Sequence, residues 1–139
     1  MTTRLGASIL LAAILAAVPA AAHHSFAAEF DEKRPVKLHG KVTKVELINP
    51  HTWIHVDVKS PDGTTVNWAI EGGSPNALFR LGFTRDSLPL GTEIVLDGYQ
   101  AKDGSNRAVG KEITYTDGKR LFLGGSAPGA QGDAPDEKK

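Results

Sequence analysis

The chain has 139 residues, a formal net charge of zero and no cysteine. Balanced charge gives no general attraction to nucleic acid or to an acidic membrane, so nucleic acid is not expected as a partner. Without cysteine there is no disulfide, no thiolate nucleophile and no sulfur ligand for a metal. The apolar fraction of 40% is enough for one small core, and a single domain is expected.

The first 22 residues have the features of a cleavable signal peptide. Arg4 supplies a positive start, residues 9–18 are apolar, and residues 20–22 are alanines at the positions that a signal peptidase reads. The apolar run is too short to span a bilayer as a retained helix. We therefore predict that residues 1–22 are removed, which leaves a periplasmic protein of 139 − 22 = 117 residues with no integral membrane segment.

Residues 23–35 are predicted to form an N-terminal arm. Phe26 and Phe30 lie four positions apart among small residues and can anchor the arm to the body of the protein, and a charged linker follows them. Strand signals begin at Val36. The apolar positions then change parity near Thr43, which predicts a β-bulge that bends the first strand.

The second strand is predicted over residues 51–59, after a corner formed by Asn49 and Pro50. Proline disfavours helical geometry at the residue before it, so this pair indicates a turn. Aliphatic residues then alternate with polar and aromatic ones, which is the period of a half-buried strand. This register places three side chains on the face opposite the aliphatic row: His51, Trp53 and His55.

The remaining elements follow from turn and cap residues. Residues 60–63, Ser-Pro-Asp-Gly, predict a hairpin into a third strand. Ser74 and Pro75 suit the first positions of a short helix, and Gly82 suits its C-terminal cap. Two further strands are predicted over residues 93–100 and 107–116.

This order predicts an all-β protein with one short helix, in the form of an OB-fold-like, five-stranded small β-barrel over residues 36–123. The rival architecture is an open sandwich of the same strands. Residues 124–139 are rich in glycine, alanine, proline and charge without apolar periodicity, and this tail is predicted to be disordered.

Three motifs carry a resemblance to a family of small exported proteins from proteobacteria. They are HHSFAAEFD directly after the signal peptide, INPHTWIHVDV at the second strand, and PNALFR at the helix. The resemblance covers residues 23–125. The family it points to is a domain of unknown function, so the resemblance implies export and a shared fold and no activity.

His23 is the residue that carries the sharpest chemical prediction. If cleavage follows Ala22, the free amine and the ring Nδ1 of His23 chelate one metal, and one further imidazole completes three nitrogens in a T that suits Cu(II). This arrangement resembles the histidine brace of copper oxygenases in chemistry, not in fold. The candidate further ligands are His51, His55 and the adjacent His24.

An earlier cleavage, after Ala21, gives a different site. The mature chain would begin Ala-His-His, and His24 as its third residue would form a local square-planar site with the amine and two backbone amides. The alternative to any metal is that paired histidines simply follow a cleavage site.

Other chemistry is less well supported. The sequence contains no nucleophile elbow, no phosphate-binding glycine loop and no zinc-protease helix, so an enzyme is not the preferred interpretation. Trp53 and Arg80 are candidates for holding a small anionic ligand. We predict a periplasmic small binding protein that takes up copper through His23. The alternative is a metal-free accessory module that docks a protein or a small ligand.

Overall fold

The computed structural model of the protein describes residues 26–132. The predicted signal peptide, residues 1–22, lies outside the described residues, as do His23 and His24. Residues 26–29 are helical, and one further helix, α1 (Pro75–Arg80), joins the third strand to the fourth. The strands are β1 (Phe30–Ile48), β2 (His51–Lys59), β3 (Thr65–Glu71), β4 (Glu93–Ala101), β5 (Arg107–Tyr115) and β6 (Arg120–Phe122).

The strands form one sheet that closes into a ring. β1 pairs antiparallel with β2 along one part of its length and with β4 along another, β2 pairs with β3, and β4 pairs with β5. The ring closes where Ala69–Glu71 of β3 pair in parallel with Arg107–Val109 of β5. The prediction of an all-β fold with one short helix is confirmed. The closer assignment to the OB-fold stays a prediction.

A sixth strand corrects the predicted count of five. After the turn at residues 117–118, Leu121 of β6 pairs with Ile113 of β5. The segment is only three residues long and carries a single buried aliphatic side chain, so its pattern alone does not distinguish a strand from a loop.

The interior of the ring holds the aliphatic row that the alternation predicts. Ile54 and Val56 of β2, Ile70 of β3 and Leu96 of β4 are all 0% exposed. Burying each such side chain contributes about 1.5–3 kcal/mol relative to leaving it in water. The residues that alternate with Ile54 and Val56 on β2, such as Trp53 and His55, lie on the outer face of the strand. One face of β2 therefore packs in the core, and the other is open to a functional role.

The predicted bulge in β1 is confirmed, and it lets one strand serve two neighbours. The register of β1 against β2 shifts between Val42 and Lys44. A side chain at Gly40 would bring its Cβ within 2.3 Å of the Asp57 carbonyl oxygen, so only glycine permits this close approach of β1 and β2.

The N-terminal arm ends earlier than predicted. β1 begins at Phe30, so residues 30–35 belong to the strand and not to an arm that runs to residue 35. Phe30 pairs with Ala101 and Pro35 with Tyr99, with an irregular register between them. Pairing with β4 therefore outweighs the charged, proline-containing composition that suggested a linker.

The start of the C-terminal tail also differs from the prediction. Residues 124–132 of the predicted disordered segment 124–139 pack onto the ring, with Ala127 and Ala130 buried against Phe26. The Gly124 amide donates a 2.7 Å hydrogen bond to the Ala130 carbonyl. Small side chains fill this space without any apolar periodicity, which is why composition suggested disorder. Residues 133–139 lie outside the described part of the chain.

Candidate functional site: a histidine–carboxylate rim

His51 stands at the first position of β2, where the chain leaves the turn formed by Asn49 and Pro50. Its partner across the turn is Ile48, so only two residues separate β1 from β2. The His51 side chain is 47% exposed, and its Nδ1 lies 3.3 Å from Oε1 of Glu71. His51 therefore sits on the edge of the barrel with one ring nitrogen against a carboxylate.

Glu71 reaches His51 because of the β2–β3 register. Glu71 ends β3 and pairs with Trp53, two residues beyond His51 on the same face of β2. Such diagonal neighbours on adjacent strands lie within reach of long side chains. The alternation that directs Ile54 into the core thus also directs His51 towards Glu71.

Burial changes the acidity of Glu71. The residue is 8% exposed, and loss of hydration raises the pKa of its carboxyl group above the ordinary value. The negative charge of Glu29 adds to this rise in pKa, whereas His51 and Arg107 oppose it. These four residues, Glu29, His51, Glu71 and Arg107, are called the rim cluster below.

Arg107 connects the rim to the end of the arm and to the first residue of β1. It lies 3.3 Å from Oε2 of Glu29, and its guanidinium carbon stands 5.4 Å from the centre of the Phe30 ring. Arg107 is placed there by the parallel pairing that closes the ring, in which it lies opposite Ala69 of β3. An ion pair and a cation–π contact thus hold residues 29 and 30 beside Glu71.

Phe26 anchors the chain just before this point. It is 8% exposed, its ring centre lies 6.3 Å from that of Phe30, and it meets the Tyr99 ring edge-on at 5.6 Å. Val109 belongs to the same apolar cluster and is the register partner of Glu71. The predicted anchoring role of Phe26 and Phe30 is therefore confirmed, and the anchor lies next to the rim cluster.

The other strand histidines are paired differently. Nε2 of His55 lies 2.9 Å from Oε2 of Glu46, and Nε2 of His39 lies 3.0 Å from Oε1 of Glu93. His51 is the one histidine within residues 26–132 whose carboxylate partner faces Nδ1 and not Nε2. Among the described residues, no carboxylate forms an ion pair with the Nε2 of His51.

His51 and His55 are too far apart to share one ion. They are four positions apart along β2, which corresponds to about 13 Å at the usual rise per residue. Within residues 26–132, no group of three or more His, Cys, Asp or Glu side chains is placed to hold a metal. A metal site with three such ligands on either strand histidine would need a ligand from outside these residues, which is where the predicted ones, His23 and His24, lie.

Trp53 and Arg80, the candidates for holding a small anionic ligand, lie on different elements. Trp53 is half-buried on β2, whereas Arg80 is exposed at the end of α1. Trp53 is also the register partner of Glu71. The predicted ligand surface stays a prediction.

A second concave region lies away from the rim cluster. It is a groove of about 730 Å³ over the bent part of β1, lined in part by His39, Lys41, Asp57 and Glu93. Lys41 is the register partner of Asp57 on one side and of Glu93 on the other. Charges of alternating sign offset one another, so this groove presents no net charge that would select a ligand.

Part of the rim cluster could not be found from the sequence. Glu29 and Arg107 are 78 positions apart and carry no shared motif. They meet only because β3 and β5 pair in parallel, a contact that short-range patterns do not encode. The histidines of β2 were identifiable because alternation alone fixes the face on which they lie.

Comparison with protein families gives one match. Residues 11–111 match the model of a family described as "Family of unknown function (DUF6152)". The chain belongs to this family. The matched range includes β1 to most of β5 and every member of the rim cluster, and it confirms the family of unknown function suggested by the motifs. No curated protein matches the chain, and no solved structure matches it.

No helix within residues 26–132 is both long enough and apolar enough to cross a bilayer.

Proposed function

We propose that this protein is a periplasmic binding protein that takes up Cu(II) through His23 and His51. After removal of residues 1–22, the amine and ring Nδ1 of His23 would chelate the ion and His51 Nε2 would supply a third nitrogen. Three nitrogens in a T-shaped arrangement suit Cu(II). The observation that carries the proposal is the orientation of the His51 ring, whose Nδ1 faces Glu71.

This orientation favours His51 over His55 as the strand ligand. A carboxylate beside one ring nitrogen favours the proton on that nitrogen and leaves the other as an acceptor. In His51 the acceptor is then Nε2, on a side chain that is 47% exposed. In His55 the hydrogen bond to Glu46 uses Nε2, and the side chain is 25% exposed, so its remaining nitrogen is less accessible to an ion.

The anchoring of the arm supports the pairing of His23 with His51. Three residues span at most about 11 Å of extended chain, so His23 is tethered within that distance of Phe26. Phe26 packs in the cluster that contains Val109, the neighbour of Glu71. The anchor of the arm therefore lies on the side of the barrel that carries the rim cluster, as the pairing of His23 with His51 requires.

The charge of the rim cluster is also suited to a cation. Two carboxylates face one guanidinium and one imidazole, so the cluster carries a formal charge of −1 when both glutamates are ionised and His51 is neutral. A divalent cation placed beside it gains Coulomb energy that is larger near a partly buried carboxylate than in bulk water.

The experiment is a Cu(II) titration of the mature protein after its intact mass has been measured on material isolated from the periplasm. The mass is expected to show loss of the first 22 residues. An extra residue ahead of His23 and the substitution His51→Ala are each expected to weaken Cu(II) binding at least tenfold, about 1.4 kcal/mol. His55→Ala and His39→Ala are matched controls expected to bind as the wild type does.

Each other outcome points to a different site. A mature chain that begins at Ala22, together with no effect of His51→Ala, would replace the proposal by the local site at His24. An effect of His55→Ala in place of His51→Ala would overturn the choice of strand ligand. Absence of Cu(II) binding by the mature wild type would overturn the proposal.

A metal-free docking module remains the second candidate because large apolar side chains are exposed at the end of β1 and on α1. Ile48, beside the Asn49-Pro50 turn, is 61% exposed, and Phe79 of α1 is 40% exposed. For this candidate, Cu(II) would leave the melting temperature unchanged. For the copper site, Cu(II) would raise it, because the ion binds the folded state preferentially.

A further inference from the structure

We infer that Glu71 is a positioning residue that keeps the proton of His51 on Nδ1 and so presents Nε2 as the metal-binding nitrogen. The part of this inference that concerns metal rests on the proposed function. The part that concerns the proton is a property of the metal-free protein and is tested without copper.

The first support is the fixed position of the carboxylate. Glu71 pairs with Trp53 of β2 on one side and with Val109 of β5 on the other. The next residue is also held, because the Gly72 amide donates a 2.8 Å hydrogen bond to the Thr52 carbonyl. The backbone of Glu71 therefore cannot turn its side chain away from the rim without breaking sheet hydrogen bonds.

The same hydrogen bonds fix the backbone beside His51. The Thr52 amide donates to the Gly73 carbonyl at 2.8 Å, in addition to the bond that its own carbonyl accepts. Thr52 is fully buried and directly follows His51. The backbones that carry the imidazole and the carboxylate are thus held together through their neighbours, within reach of the 3.3 Å contact between the two side chains.

The second support is the chemistry of the pair. A neutral imidazole has one N–H, and an ionised carboxylate can only accept, so the contact is favourable with the proton on the nitrogen that faces the carboxylate. A carboxylate behind a histidine ligand commonly fixes both tautomer and ring orientation in metal sites. In His55 the same logic places the proton on Nε2, against Glu46.

The third support is the burial of the Glu71 side chain, which is 10% exposed, against 28% for Glu46. A carboxylate with little access to water interacts more strongly with an adjacent N–H than one that is well hydrated. Burial of Glu71 therefore favours a single tautomer of His51, although this 3.3 Å contact is longer than the 2.9 Å hydrogen bond between His55 and Glu46.

The test uses nitrogen NMR of the metal-free mature protein at a pH where its histidines are neutral. In the wild type, His51 is expected as the Nδ1–H tautomer and His55 as the Nε2–H tautomer. Glu71→Ala should shift His51 towards the Nε2–H form, whereas Glu71→Gln should largely retain Nδ1–H because its amide oxygen can still accept. Glu46→Ala is the matched control, expected to change His55 and leave His51 as it is.

Copper binding by the same proteins completes the experiment. Glu71→Ala should weaken Cu(II) binding about tenfold or more, a typical loss when the partner of a metal-ligating histidine is removed, and Glu71→Gln should restore most of it. Glu46→Ala should bind as the wild type does. If Glu71→Ala fails to fold, the tautomer of wild-type His51 and the affinity of Glu71→Gln still decide the matter.

The outcomes separate this inference from the proposed function. A wild-type His51 in the Nε2–H form overturns the inference whatever copper does. The expected tautomer in a wild type that does not bind Cu(II) supports the positioning of His51 and overturns the proposed function. Unchanged Cu(II) affinity in Glu71→Ala, with the wild type binding, overturns the role of Glu71 at the metal.

Discussion

Two histidines on the outer face of β2 each contact a glutamate of a neighbouring strand, and the pKa values of the two glutamates are shifted in opposite directions. At the rim, His51 meets a glutamate that is 8% exposed and whose pKa is raised by burial. Along the strand, His55 meets Glu46, whose pKa is lowered by hydrogen bonds from Lys44 and His55. The two sites thus differ in the burial of the carboxylate and in the ring nitrogen that faces it, which is Nδ1 in His51 and Nε2 in His55.

The largest expected effect concerns the anchor that holds the arm at the rim. Phe26→Ala removes a ring that is 8% exposed and packed against Phe30 and Tyr99. Truncation of a buried phenylalanine costs about 3–5 kcal/mol. Because Phe26 packs in a small cluster beside the main core, we expect about 3 kcal/mol in urea unfolding. Cu(II) binding should weaken as well, since His23 loses its tether.

Phe79→Ala is the matched control for this change. Phe79 is 40% exposed on α1, so its truncation should cost far less free energy of unfolding and leave Cu(II) affinity unchanged. Equal losses of stability in the two variants would show that the arm is not anchored as described.

A smaller loss of stability is expected where Gly124 packs against Gly73, just after the end of β3. A Cβ at Gly73 would lie 2.3 Å from the Gly124 carbonyl oxygen, so Gly73→Ala forces two backbone segments apart. Overpacking of this kind costs about 1–3 kcal/mol, and we expect a loss in that range by thermal or urea unfolding. The displaced strand end should also disturb the Glu71–His51 contact.

Gly72→Ala tests the same crossing more gently. Its Cβ would lie 3.3 Å from the Leu123 carbonyl oxygen, which requires a shift of only a few tenths of an ångström. This variant should therefore lose less stability than Gly73→Ala. A larger loss of stability in Gly72→Ala than in Gly73→Ala would contradict the described packing of residues 123–125 against residues 72 and 73.

The smallest effect, and the one that separates the two glutamates most clearly, is the pH dependence of stability. Because folding raises the pKa of Glu71, its stabilising contribution is present below the ordinary pKa of 4.5 and is lost as the pH rises through the raised value. Glu71→Gln, which stays neutral, should therefore gain stability relative to the wild type as the pH rises above about 4.5.

Glu46→Gln should show the opposite sign. Folding lowers the pKa of Glu46, so its contribution is present above 4.5 and is lost as the pH falls through the lowered value. The variant should lose stability relative to the wild type above that pH and match it in more acidic solution. Urea unfolding between pH 3 and 7 measures both differences, and the same sign in both variants would contradict the comparison.

Local patterns in the sequence were enough to predict much of the fold. Alternation in β2, the bulge near Thr43 and the capped helix at Ser74 each depend on neighbours within a few residues, and each is confirmed. The Ser74 side chain, for example, accepts a hydrogen bond from the Ala77 amide as an N-cap residue does.

What could not be predicted depends on long-range pairing or on small residues. Residues 30–35 join β1 because β4 lies alongside, and Ala127 and Ala130 are buried because a space of their size exists beside Phe26. Neither fact leaves a periodic signal. The same is true of the site, since His51 was identifiable from alternation, whereas the placement of Arg107 near Glu71 requires the closure of the ring.

The central claim, that one Cu(II) binds both His23 and His51, is tested most directly by pulsed electron paramagnetic resonance of the copper-loaded mature protein. The remote ring nitrogens of copper-bound imidazoles give modulations from which the number of coordinated histidines is counted. We expect two copper-bound imidazoles in the wild type, one in His51→Ala and two in His55→Ala. A wild-type spectrum with a single imidazole that His51→Ala leaves unchanged would contradict it.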